Sequence, residues 1–508
     1  MIQMKKCFTE LYDFLSSSFE CHTDLKLNLW NQIYGEQIPQ LSSGLEKCTN
    51  LSSLNLNISN CYIGDEFATG LAISLKNCPN LSIMKLYLSG NDISGEGILS
   101  FASTFETYTN LTDLTLSLES NNIGDKGVLG LTSVLAKITC LTSLTLNLSS
   151  NGISDHGALN LGSSLATYTN LSNLKLDVSV NQISDEGVSA IGIALANCKK
   201  ISNLSLDLIS NQFGSQGISG LGSAFTSNIN LSKLTLYLEN NQINGQGLSC
   251  LFSDLSNCIN LTNLIFNFKK TQIGDEEISS FSSVLEKCIY LSNLQLNLVQ
   301  NQIGNKGVST LGEALRKCFR LSDLTLSLDD NLIGDEGVSR LSSSLGNCLN
   351  LSRLTLNLNY NQFGDQGVSS ITSNLKNCTK LSKLALAINK SQITHQSISD
   401  LIFVLPNWGN ISNLSLHLAF NSIGEQAALD LGIALSNCHN LQNLELQLSY
   451  NDIHSKGALD LASGIAKCAN LSTLELRLQD SGIPYEEQLE IWIKCLQSKK
   501  LVVFILVL

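Results

Sequence analysis

A 30-residue period runs through almost the whole of this 508-residue chain. The segments NLTDLTLSLESNNIGDKG from Asn110 and NLSKLTLYLENNQINGQG from Asn230 superpose without a gap. The register holds from Leu51 to Leu501, which gives fifteen complete units, and a degraded unit with its strand one residue out of phase precedes them at 21–50. One such unit cannot bury its own apolar face, so the period predicts a stack of units.

With Leu51 as position 1, the unit reads L-S-x-L-x-L-x-L-x-x-N-x-I-G-D-x-G-h-x-x-L-x-x-x-L-x-x-C-x-N, where h is apolar. Apolar residues at positions 4, 6 and 8 alternate with polar ones, which is typical of a half-buried strand. Asn, Asp and Gly at positions 11–17 predict a turn, and we expect the Asp at position 15 to N-cap the segment that follows. Positions 18, 21 and 25 have helical spacing, so each unit is predicted to be strand, turn and helix.

The unit resembles the leucine-rich repeat, L-x-x-L-x-L-x-x-N-x-L, with Leu356, Leu358, Asn361 and Phe363 in the last four defined places. The G-D-x-G turn and the full helix after it resemble the ribonuclease-inhibitor-like subclass, which includes repeat regions of NOD-like receptors and the Ran GTPase-activating proteins. An extra L-x in the strand makes this unit longer than the usual 20–29 residues. The resemblance implies an α/β fold: a right-handed solenoid, or horseshoe, with an inner parallel sheet and outer helices.

We expect three segments along the chain. Residues 1–20 are predicted to form an N-terminal capping helix on the helical spacing of Phe8, Leu11, Tyr12, Leu15 and Phe19. Residues 21–500 form the repeat array, with the degenerate first unit at 21–50 and fifteen units at 51–500, and 501–508 is the strand of a truncated sixteenth unit.

The final segment, LVVFILVL, is far shorter than the roughly 20 residues that a membrane-spanning helix needs. Its outward positions carry Ile505 and Val507, where most units carry polar residues. An apolar edge strand invites pairing, so we expect this C-terminal edge to be covered by a partner, a second copy or further sequence.

Two recurring residues are predicted to be architectural. Asn at position 11 can hydrogen-bond the backbone of adjacent units, where it avoids the ~1–3 kcal/mol cost of an unsatisfied polar group. Ten of the sixteen cysteines stand at position 28, at a spacing unlike that of zinc ligands. Apolar or aromatic residues replace them in other units, which indicates small buried hydrophobic residues kept as reduced thiols.

Composition and motifs narrow the function classes. A net charge of −12 and a pI near 5.0 argue against nucleic acid or a membrane surface as the main partner. The chain has no phosphate loop, H-E-x-x-H or G-x-S-x-G motif, and its six histidines are scattered. Without a secretory signal or a long apolar stretch, we expect a cytoplasmic protein, with a cytoskeletal or ciliary association as an option. We expect no enzymatic activity, cofactor or metal.

Candidate partner-binding residues point outward from the strands, at positions 5, 7 and 9, on a face that is otherwise small and polar. Asp177 and Asp207 are predicted to be neighbours, with Glu119 and Glu239 nearby and Tyr237 beside Asp207; this group could hold a basic segment of a partner, or be a solvated surface. Paired carboxylates also suggest acid–base catalysis, but no nucleophile accompanies them. The remaining candidate in the same rows is Tyr87.

Two units depart from the pattern and are read either as contact points or as sequence drift. In 261–290, Ile265 replaces a polar outward residue, Lys269 adds charge and Glu277 replaces the turn glycine. In 381–410 the changed residues are Ala385, Ala387, Lys390, His395, Pro406 and Trp408.

The sequence therefore favours a non-catalytic scaffold that binds a protein partner through the concave sheet face, the C-terminal edge or both. One alternative is a GTPase activator of the Ran type, a family that carries an acidic C-terminal tail, whereas this chain ends in FILVL. The other is a fixed component of a cytoskeletal or ciliary assembly.

Overall fold

The structure is a computed structural model that describes residues 5–35, 37–405, 409–498 and 500–508. The chain forms two compact units, Met1–Cys258 and Ile259–Leu508. Both units are built in the same way, from short parallel strands that alternate with helices. This architecture confirms the predicted α/β solenoid class within each unit.

The first unit contains the strands β1 to β9 and the helices α1 to α10 in its described residues. The strands are β1 (Lys5–Phe8), β2 (Asp24–Asn28), β3 (Ser53–Asn57), β4 (Ile83–Tyr87), β5 (Asp113–Ser117), β6 (Ser143–Asn147), β7 (Asn173–Asp177), β8 (Asn203–Asp207) and β9 (Lys233–Tyr237). The helices are α1 (Leu11–Leu15), α2 (Gln37–Glu46), α3 (Gly64–Leu75), α4 (Gly95–Ala102), α5 (Gly124–Leu135), α6 (Asp155–Leu165), α7 (Asp185–Leu195), α8 (Ser215–Leu221), α9 (Ser223–Ser227) and α10 (Gly245–Leu255).

The second unit continues the numbering with β10 to β18 and α11 to α18. The strands are β10 (Asn263–Asn267), β11 (Asn293–Asn297), β12 (Asp323–Ser327), β13 (Arg353–Asn357), β14 (Lys383–Ala387), β15 (Asn413–His417), β16 (Asn443–Gln447), β17 (Thr473–Arg477) and β18 (Val503–Val507). The helices are α11 (Asp275–Leu285), α12 (Asn305–Lys317), α13 (Asp335–Leu345), α14 (Asp365–Leu375), α15 (His395–Val404), α16 (Gly424–Ser436), α17 (His454–Ile465) and α18 (Tyr485–Cys495).

Within each unit the strands of complete repeats pair in parallel with their neighbours along the chain at a constant offset of 30 residues. In the first unit Leu174 of β7 lies opposite Leu204 of β8, and both are buried. The degraded first repeat is displaced by one residue as predicted, because Asp24 pairs with Ser53 at an offset of 29. Since side chains alternate across a strand, this register lines up all apolar positions on one face and all polar positions on the other.

The helices cover the apolar face of the strands. In the repeat of α7, Val188, Ile191 and Leu195 are buried, and they are the residues at positions 18, 21 and 25. Burying a side chain of this size contributes about 1.5–3 kcal/mol. Because the same three positions recur in each repeat, the core continues from one helix to the next within each unit.

The start of the chain differs from the predicted capping helix. Phe8 belongs to β1, which pairs in parallel with β2, and α1 is only the five residues from Leu11 to Leu15. The exposed edge of β2 offers backbone groups that a strand satisfies and a helix does not. The helical spacing of the apolar residues is real, but strand pairing outweighs it at Phe8.

We predicted that the Asp at position 15 caps its own helix, and this prediction is wrong. Asp155 is the first residue of α6, and its carboxylate accepts hydrogen bonds from the backbone N–H groups of Ser184 (2.7 Å) and Gly187 (2.9 Å) in the next repeat. It therefore caps α7 and ties two repeats together. Similar carboxylate or amide contacts reach the next repeat from Asp65, Asp125, Asp185, Asp275, Asn305, Asp335 and Asp365.

The asparagines at position 11 form the predicted contacts between repeats. Asn181 is 8% exposed; its Nδ2 donates to the carbonyl of Leu148 at 3.1 Å, and its Oδ1 accepts from the N–H groups of Asn151 and Ile153 at 3.1 and 3.0 Å. One amide thus satisfies backbone groups that the turn leaves unpaired. Thr271 takes a part of this role by donating to the carbonyl of Phe268 at 2.6 Å.

The position-28 cysteines are small core residues, as predicted. All sixteen cysteines are thiols, and of the ten at position 28 only Cys438 is not fully buried. Burial raises the pKa of the Cys288 thiol to about 12. No helix in the described part of the chain combines the length and apolar character needed to span a membrane.

Candidate functional site

The outward-facing rows of strand residues carry the candidate site of the first unit. Asp177 and Asp207 are the last residues of β7 and β8 and lie opposite each other in the register. Tyr237 ends β9 and follows Asp207 in the same row. Neighbouring strands are about 4.8 Å apart, so these three half-buried side chains share one surface, which we call the acidic patch together with Glu239 two residues beyond Tyr237.

The two aspartates differ in what stabilises their charge. Asp177 Oδ1 accepts hydrogen bonds from the N–H of Ser179 at 3.0 Å and from its hydroxyl at 2.7 Å. At the equivalent place after Asp207 stands Ile209, which has no hydroxyl, and its N–H donates to Asp207 Oδ1 at 3.2 Å. Asp207 is therefore the less well compensated carboxylate.

Burial raises the pKa of Asp207 from 3.8 to about 6. The negative charges of Asp177 and Glu239 act in the same direction, since like charges disfavour ionisation. The N–H of Ile209 and the ammonium of Lys175 act against the rise without cancelling it. A cation that binds at this surface would therefore stabilise the ionised carboxylate of Asp207.

Glu119, which was predicted near this group, and Tyr87, a separate candidate on the same face, both lie away from the acidic patch. Glu119 stands two repeats before Asp177, and its Oε2 accepts a hydrogen bond from Asn147 Nδ2 at 3.3 Å. Tyr87 is one further repeat away, between Asn57 and Ser117 in the register. Both residues lie on the same face of the sheet as the patch, but Glu119 is two repeats and Tyr87 three repeats before Asp177.

The remaining predicted residues on the sheet belong to the second unit. Ile265 of β10 is half-buried and lies opposite Gln295. The N–H of Lys269 donates to Asn267 Oδ1 at 3.1 Å, and Lys269 borders a shallow depression of about 480 Å³ with Asp329 and Tyr360.

Glu277, the other departure in that repeat, has a structural role. Its Oε2 accepts a hydrogen bond from the N–H of Gly274 at 2.8 Å, at the start of its own helix α11. The preceding repeat has Gly245 at position 15 and so has no carboxylate there to offer. Glu277 therefore caps α11 from within the repeat.

The second departing repeat, 381–410, presents small residues toward the strand face. Ala385 and Ala387 lie opposite Ser415 and His417 of β15, and Ala387 is buried. The ammonium of Lys390 lies 5.5 Å from the ring centroid of Tyr360. His395 begins α15, whereas the expected contributions of Pro406 and Trp408 lie outside the described residues.

Sequence reasoning missed a polar cluster beside those alanines. His417 Nε2 lies 3.0 Å from Ser415 Oγ and 2.8 Å from Glu445 Oε1, and the Ser415 hydroxyl donates to Glu445 Oε2 at 2.8 Å. Burial alone would raise the pKa of Glu445, but the hydrogen bond from Ser415 and the interaction with His417 lower it. Ser415 and Glu445 also border a shallow depression of about 330 Å³. Comparing adjacent outward rows of the sequence would have revealed this cluster.

The cluster does not have the geometry of a nucleophilic relay. In such a relay the serine and the carboxylate contact opposite nitrogens of the imidazole. Here Ser415 and Glu445 both contact Nε2 of His417, and they also contact each other. The arrangement holds three side chains in place but does not activate the serine. Among the described residues, no group of three or more His, Cys, Asp or Glu is placed to hold a metal ion.

A row of bulky residues lines the exit of the strands in the second unit. Tyr360, Lys390, Phe420 and Tyr450 occupy position 10 with φ between 54° and 58°. This left-handed conformation is unusual for aromatic residues. The rings of Phe420 and Tyr450 stack at 4.1 Å and are each about half exposed. The side chains of this row therefore contact one another in pairs, Phe420 with Tyr450 and Lys390 with Tyr360.

The predicted C-terminal edge is apolar on both sides. Ile505 and Val507 lie opposite Glu475 and Arg477 of β17, and Ile505 is 45% exposed. The inward side chain Phe504 is half-buried, and its ring centroid lies 6.5 Å from that of Trp492 on α18. The inner and outer faces of β18 both present hydrocarbon at this edge.

Comparisons with known proteins agree with the repeat. Seven segments match the family model described as leucine-rich repeat: 80–102, 110–131, 140–162, 170–192, 290–312, 354–371 and 440–462. These segments lie in both units, at the places that the 30-residue register assigns to repeats, and they support a leucine-rich repeat protein. No curated protein matches the sequence.

Two solved structures are similar to this chain. One is an internalin from Listeria monocytogenes, with 21% identity over 80% of this chain and 88% of that one, at a TM-score of 0.47. The other is a leucine-rich repeat protein of Leptospira interrogans, with 18% identity over 98% of this chain and 99% of that one, also at a TM-score of 0.47.

Proposed function

We propose that this leucine-rich repeat protein is a non-catalytic scaffold and that its acidic patch binds a basic segment of a protein partner. Leucine-rich repeat folds are typically binding scaffolds, which supports the general class. The observation that carries the specific proposal is Asp207, a half-buried carboxylate whose neighbours in space include Asp177 and Glu239. Its charge is poorly compensated within the chain, so a cation from outside stabilises it.

The chemistry of the patch selects Lys or Arg side chains. A guanidinium or ammonium placed between Asp177 and Asp207 lowers the raised pKa of Asp207 and forms charge-assisted hydrogen bonds. Tyr237 adds a large apolar contact that also tolerates a polar tip. The shallow, open face accommodates an extended peptide rather than a small molecule.

The experiment uses fluorescence anisotropy with a labelled nine-residue peptide that alternates Arg and Ser. We expect the double variant Asp177→Asn/Asp207→Asn to weaken binding at least tenfold. Glu119→Gln is the matched control, because it removes a carboxylate from the same face but outside the patch. Equal losses in both variants, or no loss in the double variant, would contradict the proposal.

Proton release provides a second, independent measurement. If the peptide binds Asp207, it displaces part of the proton population that the carboxyl group carries near its pKa of about 6. Titration calorimetry at pH 6 in two buffers of different ionisation enthalpy should report protons released by the wild type and almost none by Asp207→Asn.

We also propose that the C-terminal edge is covered by a second copy of this chain. A two-fold axis through β18 pairs the strand VFILV with itself in antiparallel fashion. It also sets the α18 helices side by side, so that the acidic start of one, with Glu486 and Glu487, lies near Lys494 at the end of the other. Trp492 and Leu489 border a shallow depression of about 510 Å³ that the second helix would fill.

Sedimentation velocity tests this pairing. We expect the wild type to sediment as a dimer at micromolar concentration and Ile505→Lys to sediment as a monomer. Ile433→Lys, at a site with 52% exposure on α16, is the control and should leave the dimer intact. A monomeric wild type would refute the second copy without affecting the acidic patch.

The subclass and the location are part of the same proposal. We assign the repeats to the ribonuclease-inhibitor-like subclass because α-helices follow the turns, the longest with thirteen residues, as in α12. We place the protein in the cytoplasm because its sixteen cysteines are thiols, which suits a reducing compartment. Alkylation of the denatured protein without reductant should therefore modify all sixteen thiols.

The matched family and structures lend no support to a GTPase activator of the Ran type or to a fixed cytoskeletal or ciliary component. The Ser415 cluster likewise does not favour catalysis, because both partners of His417 contact the same ring nitrogen.

A further inference from the structure

The dipeptide Asn-Gly occurs twice in the sequence, at Asn151 with Gly152 and at Asn244 with Gly245. In this dipeptide the backbone nitrogen of the glycine can attack the side-chain amide of the asparagine, because the glycine has no Cβ to hinder the approach. The fold places the two copies differently. Asn151 is 3% exposed, whereas Asn244 is exposed at the N-cap of α10. Their surroundings therefore decide which copy reacts.

The amide of Asn151 is held through both of its polar atoms. Its Nδ2 donates to the carbonyls of Leu118 and Ser149, each at 2.9 Å, and its Oδ1 accepts from the N–H of Ile123 at 3.3 Å. Burial also keeps away the water that hydrolysis of this amide consumes. Asn151 is one of the position-11 residues that connect the repeats, and the same contacts protect its side chain.

The amide of Asn244 is held through its oxygen alone. Oδ1 accepts hydrogen bonds from the hydroxyl of Ser215 and, at 3.4 Å, from the N–H of Gly247. These two donors polarise the carbonyl and stabilise the negative oxygen that forms when a nucleophile adds to it. In the described part of the chain Nδ2 of Asn244 makes no hydrogen bond, so no contact retains the group that has to leave as ammonia.

The attacking nitrogen is also unoccupied. Gly245 is the first residue of α10, and the first N–H groups of a helix have no partner within the helix. Asn244 is extended, with φ of −118° and ψ of 174°, so it lies outside the helical backbone. A nucleophile, a polarised carbonyl and a free leaving group therefore meet at one exposed residue.

We propose that Asn244 is a modification site, at which the asparagine converts to aspartate and isoaspartate. The nitrogen of Gly245 forms a bond with Cγ of Asn244, and Nδ2 takes up the proton of that nitrogen and leaves as ammonia. The product is a cyclic succinimide. Water then breaks one of the two C–N bonds in the ring: cleavage at Cγ gives aspartate, and cleavage at the backbone carbonyl gives isoaspartate. The reaction needs water as its only co-reactant, and each product carries one new carboxylate.

Isoaspartate at this place changes the contact between two repeats. Ser215 stands at position 15, so its hydrogen bond with Asn244 replaces the carboxylate contact that Asp155 makes with its next repeat. Ser215 Oγ also accepts from the N–H of Asn244 at 3.3 Å. Isoaspartate adds a methylene group to the backbone just before Gly245 and removes the N-cap oxygen. We expect it to loosen α10 against α8, whereas normal aspartate keeps an N-cap acceptor.

Peptide mass spectrometry of the full-length protein tests the site. During incubation in mildly alkaline buffer, we expect the change from amide to carboxylate to be at least tenfold faster at Asn244 than at Asn151. In concentrated urea the two rates should become similar, because the fold no longer protects Asn151. Gly245→Ala should slow the reaction at Asn244 at least fivefold, since the added Cβ hinders the attacking nitrogen. Circular dichroism checks that this variant keeps its fold.

Two results would overturn the proposal. One is an equal rate at Asn151 and Asn244 in the folded protein. The other is a rate at Asn244 that rises tenfold or more in urea, because the hydrogen bonds to Oδ1 would then protect the amide.

The effect on the repeats has its own readout. Ion exchange separates the modified protein by its additional negative charge, and methylation by an isoaspartyl methyltransferase identifies the isoaspartate fraction. We expect this fraction to unfold at a lower urea concentration than the unmodified protein. Asn244→Asp is the matched control: it has the same charge on an unaltered backbone and should keep the original midpoint. Equal midpoints of all three proteins would refute the loosening of α10.

Discussion

The carboxylate of Asp155 accepts a hydrogen bond from the backbone N–H of Gly187, 2.9 Å away in the next repeat. A Cβ placed on Gly187 would come within 2.6 Å of Asp155 Oδ1 and within 2.8 Å of the Cβ of Ala158. The recurring glycine at position 17 thus makes room for the preceding repeat's carboxylate. Where that carboxylate is missing, as at Gly245, the next repeat can carry a larger residue such as Glu277.

Gly187→Ala should destabilise the protein by about 1–3 kcal/mol, because the added methyl group crowds a packed contact. Urea denaturation followed by circular dichroism measures this change. Gly70→Ala is the matched control within the same unit: its nearest neighbour would be Ser42 Oγ at 3.8 Å, and it lies inside α3. Alanine there should be neutral or stabilising by up to about 1 kcal/mol, so a stability loss at both sites would contradict this reading.

Asn181→Ala should lower the free energy of unfolding by about 3 kcal/mol, because it leaves backbone groups of Asn151, Ile153 and Leu148 without their partner. The adjacent exposed residue provides the control, and Gln182→Ala should change the urea midpoint very little. If the two substitutions have equal effects, the amide contacts between repeats contribute no specific stability.

Asp207→Asn should stabilise the protein at neutral pH. Burial raises the pKa of Asp207 to about 6, so the folded protein holds this proton more tightly than the unfolded chain does. The stability linked to this group is therefore present at pH 4 and is lost as the pH rises through about 6. Since the group is partly open to solvent, the gain in Asp207→Asn is on the order of 1 kcal/mol.

Unfolding midpoints at pH 4 and pH 8 measure this effect. The variant and the wild type should be similar at pH 4, and the variant should be more stable at pH 8. Asp113→Asn, on β5 of the same unit, controls for the loss of one negative charge. A stability difference that does not change between the two pH values would argue against the raised pKa.

Asp365 should have a pH dependence of the opposite sign. Burial by itself would raise its pKa, but hydrogen bonds from Thr394 and Ser397 outweigh it and lower the pKa. The Thr394 N–H and hydroxyl are 2.8 and 2.6 Å from the carboxylate. Stability from this group is present above the unfolded pKa near 4 and is lost as the pH falls through the lower folded pKa.

Asp365→Asn should therefore be less stable than the wild type at pH 7, and the difference should shrink below pH 4. Thermal unfolding across this range measures it. Asp452→Asn, which removes a carboxylate at an exposed site, is the matched control.

Native thiol reactivity should separate the cysteines into two classes. Cys7 and Cys21 are exposed and should react with Ellman's reagent within minutes. The buried position-28 thiols should react only on unfolding, because burial raises the pKa of Cys288 and Cys318 to about 12 and so suppresses the thiolate. Rapid native reaction of more than a few thiols would contradict the buried core.

Much of the architecture was predictable because the same residue pattern recurs from repeat to repeat. The positions of the strands, the helices, the buried Asn at position 11 and the Cys at position 28 follow from alternation and helical spacing, which are local properties of the chain. The prediction was wrong at Phe8, because this residue belongs to β1, which pairs with the edge of β2. It was also wrong at Asp155, because the helix that this residue caps belongs to the next repeat. Both failures concern contacts between repeats, which no single unit encodes.

The candidate sites divide in the same way. The pairing of Asp177 with Asp207 was predictable because the 30-residue register sets neighbours on a parallel sheet. The hydrogen-bond geometry of the cluster around His417 depends on distances across strands in the folded chain. The sequence by itself determined which residues repeat and which face they occupy, because strand and helix periods are local. Tertiary structure decided which charges meet and which apolar residues remain uncovered, because those outcomes require the packing of one repeat on another.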